Sequence, residues 1–176
     1  MILYFVRHAS AGTRRANSAQ DEKRPLDKEG VEQCAYVGRF LASMDAVPDL
    51  IASSPLKRAT QTAALVANEL GYEQKIELTP VMRPTAEYES FRDFLSKSST
   101  LETLMVVGHN PTISQFLSLL VSDGMNAKAI EMKKGGVARV DYTPKKSVLN
   151  WVITPKIVKT LQSTRQSKSR PKTSRK

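Results

Sequence analysis

The feature that most constrains this chain is a pair of short apolar runs, Ile2–Val6 and Thr103–Val107, each followed within two residues by a histidine, His8 and His109. Runs of five apolar residues are too short for buried helices and read as buried strands of a parallel sheet. In an open α/β sheet, ligands bind beyond the carboxyl ends of the strands. The chain has only two histidines, and both occupy that position. They are therefore expected to face one crevice.

The rest of the sequence alternates extended and helical patterns, which predicts an α/β fold. Further strands are expected at Asp49–Ala52 and Ile76–Thr79, with a terminal pair at Gly136–Tyr142 and Val148–Ile153 joined through Pro144-Lys145-Lys146. Helical spacing marks Lys28–Ser43, Pro55–Leu70 with Gly71 as its stop, Tyr88–Ser96 and Pro111–Val121. Residues 9–27 are polar and aperiodic and read as a long loop.

Around the two strand ends the residue types suit an anion. Arg7 precedes His8, and Arg58 lies one turn into the helix that follows Asp49–Ala52. Ser54 is a good N-cap and Pro55 a good first helical residue; Asn110 and Pro111 repeat the device after His109. Helix N-termini favour phosphate. The local pattern thus predicts a pocket of two arginines, two histidines and up to two helix N-termini. No cluster of Asp, Glu, His or Cys stands at metal-ligand spacing, and neither metal nor cofactor is expected.

The motifs Phe-Val-Arg-His-Ala, Ser-Ser-Pro-x-x-Arg-Ala-x-Gln-Thr-Ala and Val-Gly-His-Asn-Pro, in that order, resemble the signature of the histidine phosphatase superfamily. The small size and the stretch Arg24-Pro-Leu-Asp-x-x-Gly30 are most similar to its SixA-type phosphohistidine phosphatases. The resemblance spans roughly residues 1–155. It implies a three-layer α/β/α fold of the phosphoglycerate-mutase-like kind with a mostly parallel central sheet. It also implies roles: His8 attacks phosphorus, Arg7 and Arg58 clamp phosphate oxygens, and His109 hydrogen-bonds the transferring group. Guanidinium forks match those oxygens in direction and charge, and a neutral imidazole can attack. Ala9 stands where the wider superfamily has glycine, a change the SixA-like branch tolerates. Larger members use a carboxylic acid to protonate the leaving group. Glu87 lies in the corresponding stretch, and Asp21 is a second candidate.

The expected function is phosphoryl hydrolysis through a phosphohistidine on His8, with a phosphohistidine protein as substrate. A phosphatase or mutase of small phosphate esters is the alternative, and a non-catalytic phosphate-binding module is a reading of a different class. A mutase must enclose a bisphosphate, for which the segment 71–102 is short.

The charge of +10 is local. Residues 1–141 hold 17 Lys+Arg and 17 Asp+Glu; the remaining residues hold 10 Lys+Arg and no acid. The body is neutral, so a nucleic-acid-binding surface is not expected there. Residues 1–158 are expected to form the phosphatase domain. Residues 159–176 are expected to be a disordered basic tail, solvated or in contact with polyanions. One cysteine, Cys34, permits no internal disulfide and is expected as a small buried hydrophobe. No segment reads as a membrane span or secretory leader. A cytoplasmic monomer is expected.

Overall fold

The computed structural model describes residues 1–122, 125 and 127–168. Its centre is a six-stranded sheet of order β3-β2-β4-β1-β5-β6. The strands are β1 Ile2–Arg7, β2 Leu50–Ser53, β3 Glu77–Leu78, β4 Thr103–Gly108, β5 Val137–Thr143 and β6 Lys146–Ile153. The first four strands run parallel to one another, and β5 and β6 add an antiparallel hairpin beside β1.

Alternation along the central strands sends side chains to two cores. Tyr4 and Val6 of β1 join Ile51, Met105 and Val107 under α2 (Lys28–Ala42) and α3 (Lys57–Leu70), which contribute Cys34, Val37, Leu41, Ala63 and Val66. Leu3 and Phe5 point the other way, with Leu104 and Val106, toward α4 (Tyr88–Lys97) and α5 (Thr112–Val121). Phe91 of α4 stacks on Phe116 of α5, ring centroids 4.9 Å apart, and meets Phe5 at 5.7 Å. The architecture is therefore three-layered with a mostly parallel sheet, as the sequence predicts. Gly71 ends α3 in the left-handed conformation, φ +66°. Cys34 is buried, and burial pushes its thiol up to about 12.

Four local expectations are corrected. The stretch 9–27 contains a one-turn helix, α1 (Ser18–Glu22), capped by Asn17 and held by tertiary bonds to Asp21. α3 begins at Lys57 rather than Pro55, and α5 at Thr112 rather than Pro111. Neither start carries a side-chain cap, because the Ser54 and Asn110 side chains are engaged elsewhere. Finally, helix α6 (Pro155–Lys168) runs on past residue 159, where a disordered tail is expected. It packs along α2, burying Val158 and placing the Lys159 ammonium over the Tyr36 ring. Residues 169–176 lie outside the described residues.

Candidate active site

β1 and β4 pair in parallel with Arg7 opposite Gly108, so the next residues, His8 and His109, emerge side by side. Their ring centroids are 4.9 Å apart. The His8 amide donates to the Gly108 carbonyl at 2.9 Å, extending the pairing into the site. Gly108 is closely packed: a Cβ there would fall 2.9 Å from the end of the Met82 side chain, which would have to shift.

His8 is buried, and its Nδ1–H donates to the Ala9 carbonyl at 2.8 Å. Burial drives its pKa down to about 3, against the Ala9 hydrogen bond, which works upward; Arg58, Arg7 and Arg24 add to the fall. The ring is thus neutral, and with the proton on Nδ1 the lone pair is on Nε2. His109 is driven down to about 2, first by burial, then by His8 and the same three arginines. Its Nε2 lies 2.8 Å from Ser54 Oγ, and its Nδ1 is buried with no hydrogen-bond partner.

Each predicted arginine is tied by one nitrogen and free at another. Arg7 Nη1 donates to the Met132 carbonyl at 2.8 Å, while its Nε is buried and unpartnered. Arg58 Nη1 donates to the Asp21 carbonyl at 2.9 Å and lies 3.4 Å from the Asp21 carboxylate; its Nε is also buried and unpartnered. Burying donors without acceptors is costly, and two arginines so placed beside His8 suit an anion there. The structure brings together His8, His109, Arg7 and Arg58, the four residues singled out from sequence.

The two acid candidates stand differently. Burial works to raise the Asp21 carboxyl, but hydrogen bonds from Arg15 N–H and Arg24, with the charges of Arg24 and Arg58, hold it below its ordinary value. It is an ionised arginine anchor. Glu87 is exposed immediately before α4, and no hydrogen bond or ion pair joins it to either histidine.

Several supports gain their roles only in the fold. Arg24, which reads as a solvated loop residue, donates to Asp21 at 2.8 Å and to the Ala11 carbonyl at 2.6 Å. Asp27 caps α2 through Gly30 N–H and holds Ser10 Oγ and Gly12 N–H with its other oxygen. The Gly135 amide donates to the carbonyls of Arg7 and His8. Gly30, in the first turn of α2, lies against the Ser10 carbonyl oxygen, from which a Cβ would be only 2.0 Å away. Among the described residues no group of three or more His, Cys, Asp or Glu is placed to hold a metal ion, and no helix is long and apolar enough to cross a membrane.

A parallel sheet with its polar residues gathered beyond adjacent strand ends is the arrangement of phosphoglycerate-mutase-like α/β proteins. The fold superposes on phosphoglycerate mutase from Bacillus anthracis with TM-score 0.71, at 16% identity over 92% of this chain and 96% of that one. It superposes on the protein histidine phosphatase SixA, solved with tungstate, with TM-score 0.80, at 20% identity over 90% of this chain and 99% of that one. The sequence matches the model of the histidine phosphatase superfamily (branch 1) over residues 3–84. It is 31% identical over 140 residues to an uncharacterised protein of Picosynechococcus sp., covering 78% of this chain and 82% of that protein. The chain belongs to the histidine phosphatase superfamily.

Proposed function

We propose that the protein is a phosphatase that forms a covalent phosphohistidine on His8 Nε2, and that its substrate is a phosphohistidine-bearing protein. The observation that carries the reaction is the gathering of the Arg7 and Arg58 charges and the His109 ring, whose Nδ1 is buried without a partner, against a neutral His8 whose proton is held at Nδ1. A transferring phosphoryl group spreads charge over its equatorial oxygens, and fixed donors aimed at those oxygens lower the barrier.

His8 Nε2 attacks phosphorus as the bond to the leaving group breaks, with Arg7, Arg58 and His109 holding the oxygens. Water then attacks phosphorus, the P–Nε2 bond breaks, inorganic phosphate leaves, and His8 returns to its neutral form.

The substrate assignment rests on the leaving-group side. An alkoxide needs a proton from the enzyme. Asp21 is ionised and committed to two arginines, and Glu87 is exposed. A phosphorylated imidazole whose other nitrogen is protonated departs as neutral imidazole and depends less on such an acid. Residues 71–102 also form no deep cap: α4 directs Phe91 and Leu95 into the core instead of over the pocket. A cytoplasmic location accompanies this reading, and the single buried Cys34 fits a reducing compartment.

The test compares a phosphohistidine protein with phosphoserine and sugar phosphates, with alkaline quench to preserve acid-labile phosphate. Phosphate trapped on His8 and absent from His8→Ala is expected, with preference for the phosphoramidate. Preference for the small esters would move the assignment to an ester phosphatase or mutase. Phosphate binding without a trapped intermediate or turnover would leave a binding module.

A further inference from the structure

We propose that Ser54 is a positioning residue that fixes the tautomer of His109, so that the Nδ1–H of that ring faces the phosphoryl group. The inference rests on the reading that His109 contacts that group, and goes beyond it by naming what orients the contact.

A neutral imidazole carries one proton for two nitrogens, and the partner of one nitrogen decides the state of the other. Ser54 Oγ lies 2.8 Å from His109 Nε2. Both residues are buried, Ser54 at 0% and His109 at 2% exposure. The serine is also fixed in place. Its amide donates to the Val107 carbonyl at 2.9 Å, two residues before His109 on β4. Its Oγ receives the Leu56 amide at 3.4 Å. The Leu56 amide takes one of the two Oγ lone pairs, and His109 Nε2 is the acceptor that the structure places within hydrogen-bond reach of the hydroxyl proton. The ring proton then resides on Nδ1, the nitrogen that is buried without a partner beside the His8 ring.

The opposite tautomer is electrostatically wrong for an anion. It would place the proton between Nε2 and Ser54 and turn the Nδ1 lone pair toward phosphoryl oxygens. Charge on His109 would cure this, but burial, the neighbouring His8 and three arginines all oppose protonation. In the anion-free protein Ser54 therefore supplies by hydrogen bonding what protonation does not. The hydroxyl that stands one residue before Pro55 is accordingly spent on His109 and not on capping α3.

The chain has only two histidines, so ring-nitrogen NMR of histidine-labelled protein resolves both, with His8→Ala assigning them. In the resting protein between pH 6 and 8, His109 is expected to show a proton on Nδ1 and an unprotonated Nε2. In Ser54→Ala the two tautomers are expected to mix. An Nε2–H form in the native protein, or an unchanged tautomer in Ser54→Ala, would overturn the proposal; neither result depends on turnover. Kinetically, Ser54→Ala is expected to lower kcat on the order of 10- to 100-fold with little change in KM, the loss typical of a misdirected oxyanion donor. Ser54→Thr, which keeps the hydroxyl, should recover most of it. In a His109→Ala background, Ser54→Ala should cost nothing further, whereas a purely structural serine would still cost activity there. Failure of His8 to trap phosphate would instead reject the proposed function, leaving the tautomer measurement to stand by itself.

Discussion

Asp21 holds Arg58 twice, accepting from Nη1 at its backbone carbonyl at 2.9 Å and lying 3.4 Å from it with its carboxylate, and the same carboxylate receives Arg24 Nε at 2.8 Å. The guanidinium is thereby set in position before an anion arrives. Asp21→Asn keeps the carbonyl contact but removes the charge that steadies both arginines. We expect kcat/KM to fall about 10-fold, the scale on which small misplacement of a positioned group is felt. The Arg58 and Asp21 side chains are only 7% and 14% exposed, so a loss of fold stability on the order of 1 kcal/mol should accompany it. Unaltered kinetics in a steady-state assay would show that Arg58 needs no such anchor.

The approach of Gly30 to Ser10 is the tightest packing constraint near the site. A Cβ on Gly30 would fall 2.0 Å from the Ser10 carbonyl oxygen, which is backbone and cannot swing away. Gly30→Ala is expected to destabilise by about 3 kcal/mol, at the upper end of ordinary overpacking. Gly71→Ala provides the contrast, since nothing lies within 4 Å of that position and only the left-handed φ of +66° opposes the side chain. It should cost about 1 kcal/mol. Urea midpoints for the two variants check the order; equal losses would mean that the loop carrying Ser10 yields.

Both histidines make stability depend on pH in the mildly acid range. Their folded values, about 3 and about 2, lie below the ordinary 6.5. The unfolded chain therefore binds more protons, and stability is lost as pH falls below 6.5. Between pH 7 and 5 the loss should be about 2 kcal/mol for each histidine. His8→Gln should remove about half of that dependence. A flat melting temperature over this range would contradict the assignment of both rings as neutral.

Asp27 governs a lower window. Burial tends to raise its carboxyl, but the Gly30 amide, the Ser10 hydroxyl and the Gly12 amide hold it below the ordinary value. Its contribution is present above about pH 3.9 and disappears as pH falls through the depressed folded value. Asp27→Ala, which also removes the cap of α2, should cost about 2 kcal/mol at neutral pH. The same variant should show a smaller additional loss than the native protein on acidification from pH 4 to 2.

Elements whose burial is repeated along the sequence were legible in it. The runs ending at His8 and His109 announce strands because their apolar residues alternate between two cores, and α2 and α3 announce themselves through apolar spacing. The residues that bind through direction alone were less visible. Ser54 and Asn110 look like helix caps because their chemistry suits that role, yet a buried His109 and the Met132 carbonyl compete for the same groups and win. α1 has no buried residue and no apolar face, so only contacts made through Asp21 could reveal it. Arg24 looks like any loop cation until its partners, Ala11 and Asp21, are brought to it by the fold. α6 is strongly polar and basic, and its order comes from the few groups that reach α2.

The pairing of Arg7 with Gly108 also sets how the site is assembled. The two histidines follow neighbouring strands yet stand about a hundred residues apart in sequence, and Arg58 comes from α3, which follows the strand on the far side of β4. A nascent chain that has completed β1, β2 and their helices holds Arg7, His8 and Arg58 but still lacks His109. A bound phosphate would bridge the ends of three strands, so opening any one of them would release it. Ligand binding should therefore slow exchange throughout the central sheet and raise the temperature of its cooperative melting, rather than quieten a single loop.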